Sequence, residues 1–95
     1  MTSKDARDAG VGAIEKELQG ERATALGDAG RRLEAALADL ANGTDDERLD
    51  EAATAAWYFV ILRESLHMFD HKAAFEIYKV PPQVLARVGV IKRRA

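Results

Sequence analysis

From Val11 onward, apolar residues recur at spacings of three, four and seven: Ile14, Leu18, Leu26, Leu33, Leu37 and Leu40. That rhythm predicts one long helix over residues 11–41. Alanine, glutamate and arginine fill most of the intervening positions, and all three favour helix. At 1.5 Å per residue its length would be about 45 Å. Residues 1–10 carry no such period and are expected to be frayed. Ala23, Gly27 and Gly30 fall on one side of this helix. Either a second helix approaches closely along that strip, or the glycines are weak points or a kink.

The stretch Asn42-Gly43-Thr44-Asp45-Asp46-Glu47 ends one helix and begins another. Asn42-Gly43 suits a left-handed stop. Thr44 and Glu47 have capping-box spacing, and the acidic side chains meet the positive end of the next helix dipole. The short connection makes the two helices antiparallel neighbours.

The second helix is predicted from Asp45 to Phe69. Its polar stripe is narrow: Glu47, Glu51, Thr54, Tyr58 and Ser65. Leu49, Ala53, Ala56 and Val60 line one side, Ala52, Phe59 and Leu66 the next, and Trp57, Ile61 and Met68 a third. A helix apolar over most of its circumference is covered over most of it. The first helix can cover only one arc. Asp70 is placed to cap a third helix, His71 to Tyr78. Val80 precedes a proline and is pushed to extended geometry. Pro81 or Pro82 suits the first turn of a fourth helix, and Gly89 suits its stop. These two short helices can cover a second arc. The arc of Trp57, Ile61 and Met68 is left for a second copy of the chain, two hairpins making a four-helix bundle.

The expected fold is therefore all-α: a long antiparallel hairpin plus two short C-terminal helices, dimerising as a four-helix bundle. A single domain spans residues 11–89, and a basic tail spans 90–95. With 95 residues, a lone core is thin, hiding roughly 60–65% of the unfolded surface, which also favours association. Hydrophobic residues make up 47% and charged residues 32%, a globular balance.

Cysteine is absent, which excludes disulfides and thiolate metal sites and suits a reducing compartment. No stretch approaches the roughly 18 apolar residues of a membrane span, and the N-terminus lacks the apolar core of a signal peptide. A cytoplasmic protein is expected. Net charge is -2. Residues 1–50 hold seven Lys/Arg and twelve Asp/Glu, a balance of -5, whereas residues 51–95 hold seven and four, a balance of +3. Such asymmetry can steer how two copies meet.

Three segments resemble a family of short bacterial proteins catalogued only as a domain of unknown function: residues 21–40, 55–64 and 70–89. The likeness rests on Ala25-Leu26-Gly27, Gly30-Arg31 with Leu33-Glu34, Trp57, Arg63-Glu64, Asp70-His71, and Tyr78 before Pro81-Pro82. It spans about residues 15–89. It implies an all-helical fold and no assigned activity.

Arg63, Glu64 and His67 interrupt the apolar arc of the second helix. Glu64-x-x-His67 can place a carboxylate and an imidazole on one helix face, and two such motifs across a dimer, with Glu34 bridging, would resemble a di-iron set. The preferred reading is a structural polar cluster, because buried charges are paired. Arg63 would hold Glu34 or Asp70 and His67 a carbonyl at the turn, while His71 is expected at a hinge or the surface. No nucleophile motif or phosphate loop is present, so neither catalysis nor a cofactor is expected. Arg87, Lys92, Arg93 and Arg94 could touch phosphate, but a chain of pI about 5.6 lacks the basic face of a nucleic-acid binder. The reading is a structural or protein-interaction module: a homodimer, with a further protein partner possible and small-ligand or metal binding at the polar cluster as the alternative.

Overall fold

The computed structural model describes residues 3–94, and side chains over residues 12–90. Four α-helices follow one another: α1 (Ser3–Asp39), α2 (Asp46–Ser65), α3 (His71–Tyr78) and α4 (Pro82–Arg94), with a 3-10 turn at Leu40–Asn42 closing α1. The fold is all-α, and no strand occurs among the described residues. No helix among them is long and apolar enough to cross a membrane.

α1 and α2 form the hairpin that the short connection dictates. Gly43 sits at φ 155°, ψ 152°, an extended mirror-image conformation open essentially to glycine alone. Glycine is thus required where the sequence placed it, but not as a left-handed helix stop. The cap of α2 is Asp45 rather than Thr44: its carboxylate accepts the amide of Arg48 at 3.4 Å. Arg48 occupies the third helical position, so no capping box forms. Asp45 instead takes a second bond from the guanidinium of the same Arg48, at 2.6 Å.

Both outer helices run further than their patterns predict. α1 begins at Ser3 rather than near residue 11, and α4 passes through Gly89 to Arg94. A β-carbon on Gly89 would meet nothing within 4 Å, so nothing there enforces a left-handed turn and the helix continues. Residues 1, 2 and 95, part of the expected loose ends, lie outside the described residues. Conversely, α2 stops at Ser65, four residues short of Phe69. The amide of Met68 bonds the carbonyl of Arg63 and the amide of His67 that of Glu64, both at 3.0 Å, with His67 left-handed at φ 60°. These are the bonds that satisfy orphan carbonyls at a helix end. α3 closes the same way: Val80 reaches Phe75 at 3.0 Å, with Lys79 at φ 56°.

α2 lies between α1 and α4. Its covered face is built largely from Ala52, Ala53, Ala55 and Ala56, each 1% exposed or less, with Leu49, Phe59 and Val60. Small residues let the flanking helices come near, where Leu33 of α1 and Val84 of α4 are completely buried. α3 adds Ala74 and lays Tyr78 edge-on against Phe59, ring centroids 5.1 Å apart. The two short helices thus cover a second arc of α2, as the pattern required.

Ion pairs fix the register. Arg32 meets Glu51 at 3.1 Å and Arg48 meets Asp39 at 3.3 Å across the hairpin. Arg87 of α4 holds both Asp46, at 2.5 Å, and Asp50, at 2.7 Å. At the far end, Arg22 donates to the carbonyl of Ser65 at 3.5 Å. This places the end of α2 level with Arg22, so residues 3–21 of α1 run past it. The molecule is accordingly a rod of 63 × 24 × 21 Å, with a radius of gyration of 17.6 Å against about 12 Å for a compact domain of this size.

Candidate interaction face and polar junction

Two groups of residues carry the functional question: the polar set at the α2–α3 junction and the apolar residues that the fold leaves uncovered.

At the junction, the early end of α2 reorganises the expected cluster. His67 stands outside the helix, so Glu64 and His67 do not share a helix face. The His67 side chain is exposed and lies edge-on to Phe69, 6.2 Å between centroids. His71, expected at a hinge or the surface, takes its place: its Nε2 lies 3.0 Å from the Glu64 carboxylate. Arg63 remains in the cluster but binds the backbone carbonyl of Asp70, at 3.0 Å, and not a carboxylate of Glu34 or Asp70. Its guanidinium also lies over the Phe59 ring, 5.8 Å from the centroid. Asp70 caps α3 by accepting the amide of Ala73 at 3.1 Å.

The junction is therefore Arg63, Glu64, Asp70 and His71, a set of contacts that pins the start of α3 to the end of α2. The signal in the sequence was the cap at Asp70. With α2 ending before it, the residue after that cap lies over the last turn of α2. Among the described residues, no three His, Asp or Glu side chains gather as a metal set would. A depression lined by Asp39, Asp45, Glu47, Arg48 and Glu51 lies at the opposite end of α2.

Charge at that opposite end is matched internally. The Arg48 guanidinium bonded to Asp45 holds the carboxyl below its usual range. Arg87 is held above its usual range by Asp50 first and Asp46 next. Arg87, counted with the basic tail as a residue that could meet phosphate, instead ties α4 to α2.

Among the uncovered apolar residues, three groups lie on or beside the hairpin. On the flank of α2 away from its alanine face, Tyr58 is 46% and Ile61 43% exposed. Trp57, beside Ile61 on the side nearer the core, is half-buried and packs against the core, so the fold already covers part of the residue expected to be most in need of a lid. At the end of α2, Met68 is 39% and Phe69 63% exposed. Ile14 and Leu18, on the overhanging part of α1, are 58% and 46% exposed. The strip Ala23, Gly27, Gly30 resolves into a single close approach: Gly30 is buried beneath Tyr78 and Phe59, whereas a β-carbon on Gly27 would meet only its neighbour Arg31.

These features define a helical hairpin with a two-helix C-terminal lid. The chain belongs to a family of unknown function, DUF6665, whose model matches residues 3–95. No curated protein and no solved structure matches it.

Proposed function

We propose that the chain is a protein-interaction module, structural rather than catalytic, whose partner is a second copy docked on the exposed flank of α2. The observation that carries this reading is the exposure of Ile61 and Tyr58, 43% and 46%, on a helix whose opposite face is sealed. Burying a large apolar side chain fully is worth roughly 1.5–3 kcal/mol, and a two-fold seam gains each such term twice. Trp57 borders the seam, and Met68 extends it towards the end of α2. Two hairpins joined this way form a four-helix bundle, and two-fold homodimers are the commonest oligomers.

Sedimentation equilibrium at micromolar concentration tests it. The wild-type chain is expected to be dimeric and Ile61→Glu to lose that association while keeping its helix content. A wild-type monomer, or an Ile61→Glu chain that associates as well as wild type, removes the reading.

A further inference from the structure

We propose that the second copy lies antiparallel, with the two-fold axis crossing α2 between Tyr58 and Ile61. The inference rests on the α2-flank seam proposed above and adds its direction and register.

The direction follows from how charge is spread along α2. Around its start stand the carboxylates of Asp39, Asp45, Asp46, Glu47, Asp50 and Glu51. Guanidinium groups answer only half of that charge: Arg48 pairs with Asp39 and Asp45, Arg87 with Asp46 and Asp50, and Arg32 with Glu51. The start of α2 thus keeps a negative excess. Near its other end, Arg22, Arg63 and Lys72 balance Glu21, Glu64 and Asp70. A parallel seam lays the two acidic ends side by side, where like charges repel. An antiparallel seam lays each acidic end against the neutral end of its partner. It also sets the two helix dipoles in opposition.

The register follows from the exposed stripe. At about 100° per residue, Glu47, Thr54, Tyr58, Ile61 and Ser65 stand within about 40° of one line along α2. Tyr58 and Ile61 are the large apolar members of that stripe. An axis midway between them places each Tyr58 on the partner's Ile61, so the fold's two exposed flank residues cover one another. Thr54 then falls opposite Ser65, each about 8 Å along α2 from the axis. Glu51 stands about one turn further out, just past the partner's Ser65.

The sides of the flank agree with this register. Glu51 lies on the α1 side, since it pairs with Arg32. A two-fold that reverses α2 brings the α1 side of one copy against the α1 side of the other. Arg22 of α1 is exposed and reaches the Ser65 carbonyl through one nitrogen, at 3.5 Å. A guanidinium has several N–H donors, so Arg22 keeps others for the partner's Glu51. Charge and apolar pattern along the flank are therefore complementary to their own reverse, which favours a second copy as the occupant.

The chain has no cysteine, so introduced cysteines report the geometry directly. Thr54→Cys and Ser65→Cys chains, both small changes, are oxidised singly and as an equal mixture. A disulfide needs α-carbons within about 7 Å. In the antiparallel seam, Thr54 stands about 16 Å along α2 from its own counterpart. Neither variant should then link alone, whereas the mixture should give a covalent dimer. Arg22→Glu should weaken the dimer about tenfold, since it turns two symmetry-related attractions into repulsions. Thr54→Cys chains that link to one another, or a mixture that does not link, overturn the proposal. So does an Arg22→Glu chain that dimerises as tightly as wild type. These failures leave the flank seam standing where Ile61→Glu still dissociates the dimer. A monomeric wild-type chain removes the seam itself, and this inference with it.

Discussion

The hydroxyl of Tyr78 lies 2.5 Å from the point where a β-carbon on Gly30 would sit. This contact joins α3 to α1 across Phe59, whose ring lies 3.6 Å from the same point. Gly30 is therefore fixed by its neighbours, whereas Gly20 and Gly89 have open space around them. Gly20→Ala and Gly89→Ala should each stabilise the chain by about 1 kcal/mol. Gly30→Ala should show no such gain, because it displaces Tyr78 from an edge-on ring contact worth about 0.5–1.5 kcal/mol. In a Tyr78→Phe background the hydroxyl is gone and the Gly30→Ala gain should return. Urea midpoints of the four-member cycle decide it; equal gains at Gly20 and Gly30 would contradict the contact.

His67 and Lys79 end α2 and α3 in the left-handed region, at φ 60° and 56°. A β-carbon there costs roughly 1–2 kcal/mol. His67→Gly and Lys79→Gly should each raise stability by about 1 kcal/mol, the cost removed less glycine's greater freedom when unfolded. A loss at position 67 would show that the imidazole carries a stabilising role that its exposed position does not suggest.

These two stops also explain where the sequence was readable and where it was not. Periodicity located the hairpin and its lid, although Ile14 and Leu18 keep the rhythm without being buried. Asp70 was legible as a cap because the residue type and the turn agree. Gly89 misled because glycine permits a stop without imposing one. Glu64-x-x-His67 misled for the reverse reason: a non-glycine residue adopted the left-handed stop, ending α2 before the motif could share a face. Gly30 could not be separated from Ala23 and Gly27 until the partner on that face, Tyr78 from 48 residues downstream, was known. Spacing marks which face is small but not which element meets it.

The alanine face of α2 sets how near α1 and α4 can come. Ala53 is 0% exposed and has no room for added methylenes. Ala53→Leu should therefore destabilise by about 1–3 kcal/mol through overpacking. Thr54→Ala, one residue on and exposed, should stay within about 0.5 kcal/mol. Thermal unfolding of the two variants compares a sealed position with its exposed neighbour. Comparable losses would mean that the close packing of α2 is not what holds the bundle.

Asp45 links the cap of α2 to pH. Its carboxylate accepts the guanidinium and the amide of Arg48, and the guanidinium bond is the main cause of its lowered pKa. A carboxyl whose folded pKa lies below its unfolded value contributes stability that is fully present above the unfolded pKa. That contribution is lost as pH falls through the folded one. Asp45→Asn keeps a cap acceptor but cannot titrate. The wild-type chain should thus lose stability more steeply than Asp45→Asn below the ordinary carboxylate range, and the two should run parallel at neutral pH. Urea unfolding followed across the acid limb measures the difference. Parallel curves throughout would show that the Arg48 bond to Asp45 does not persist in solution.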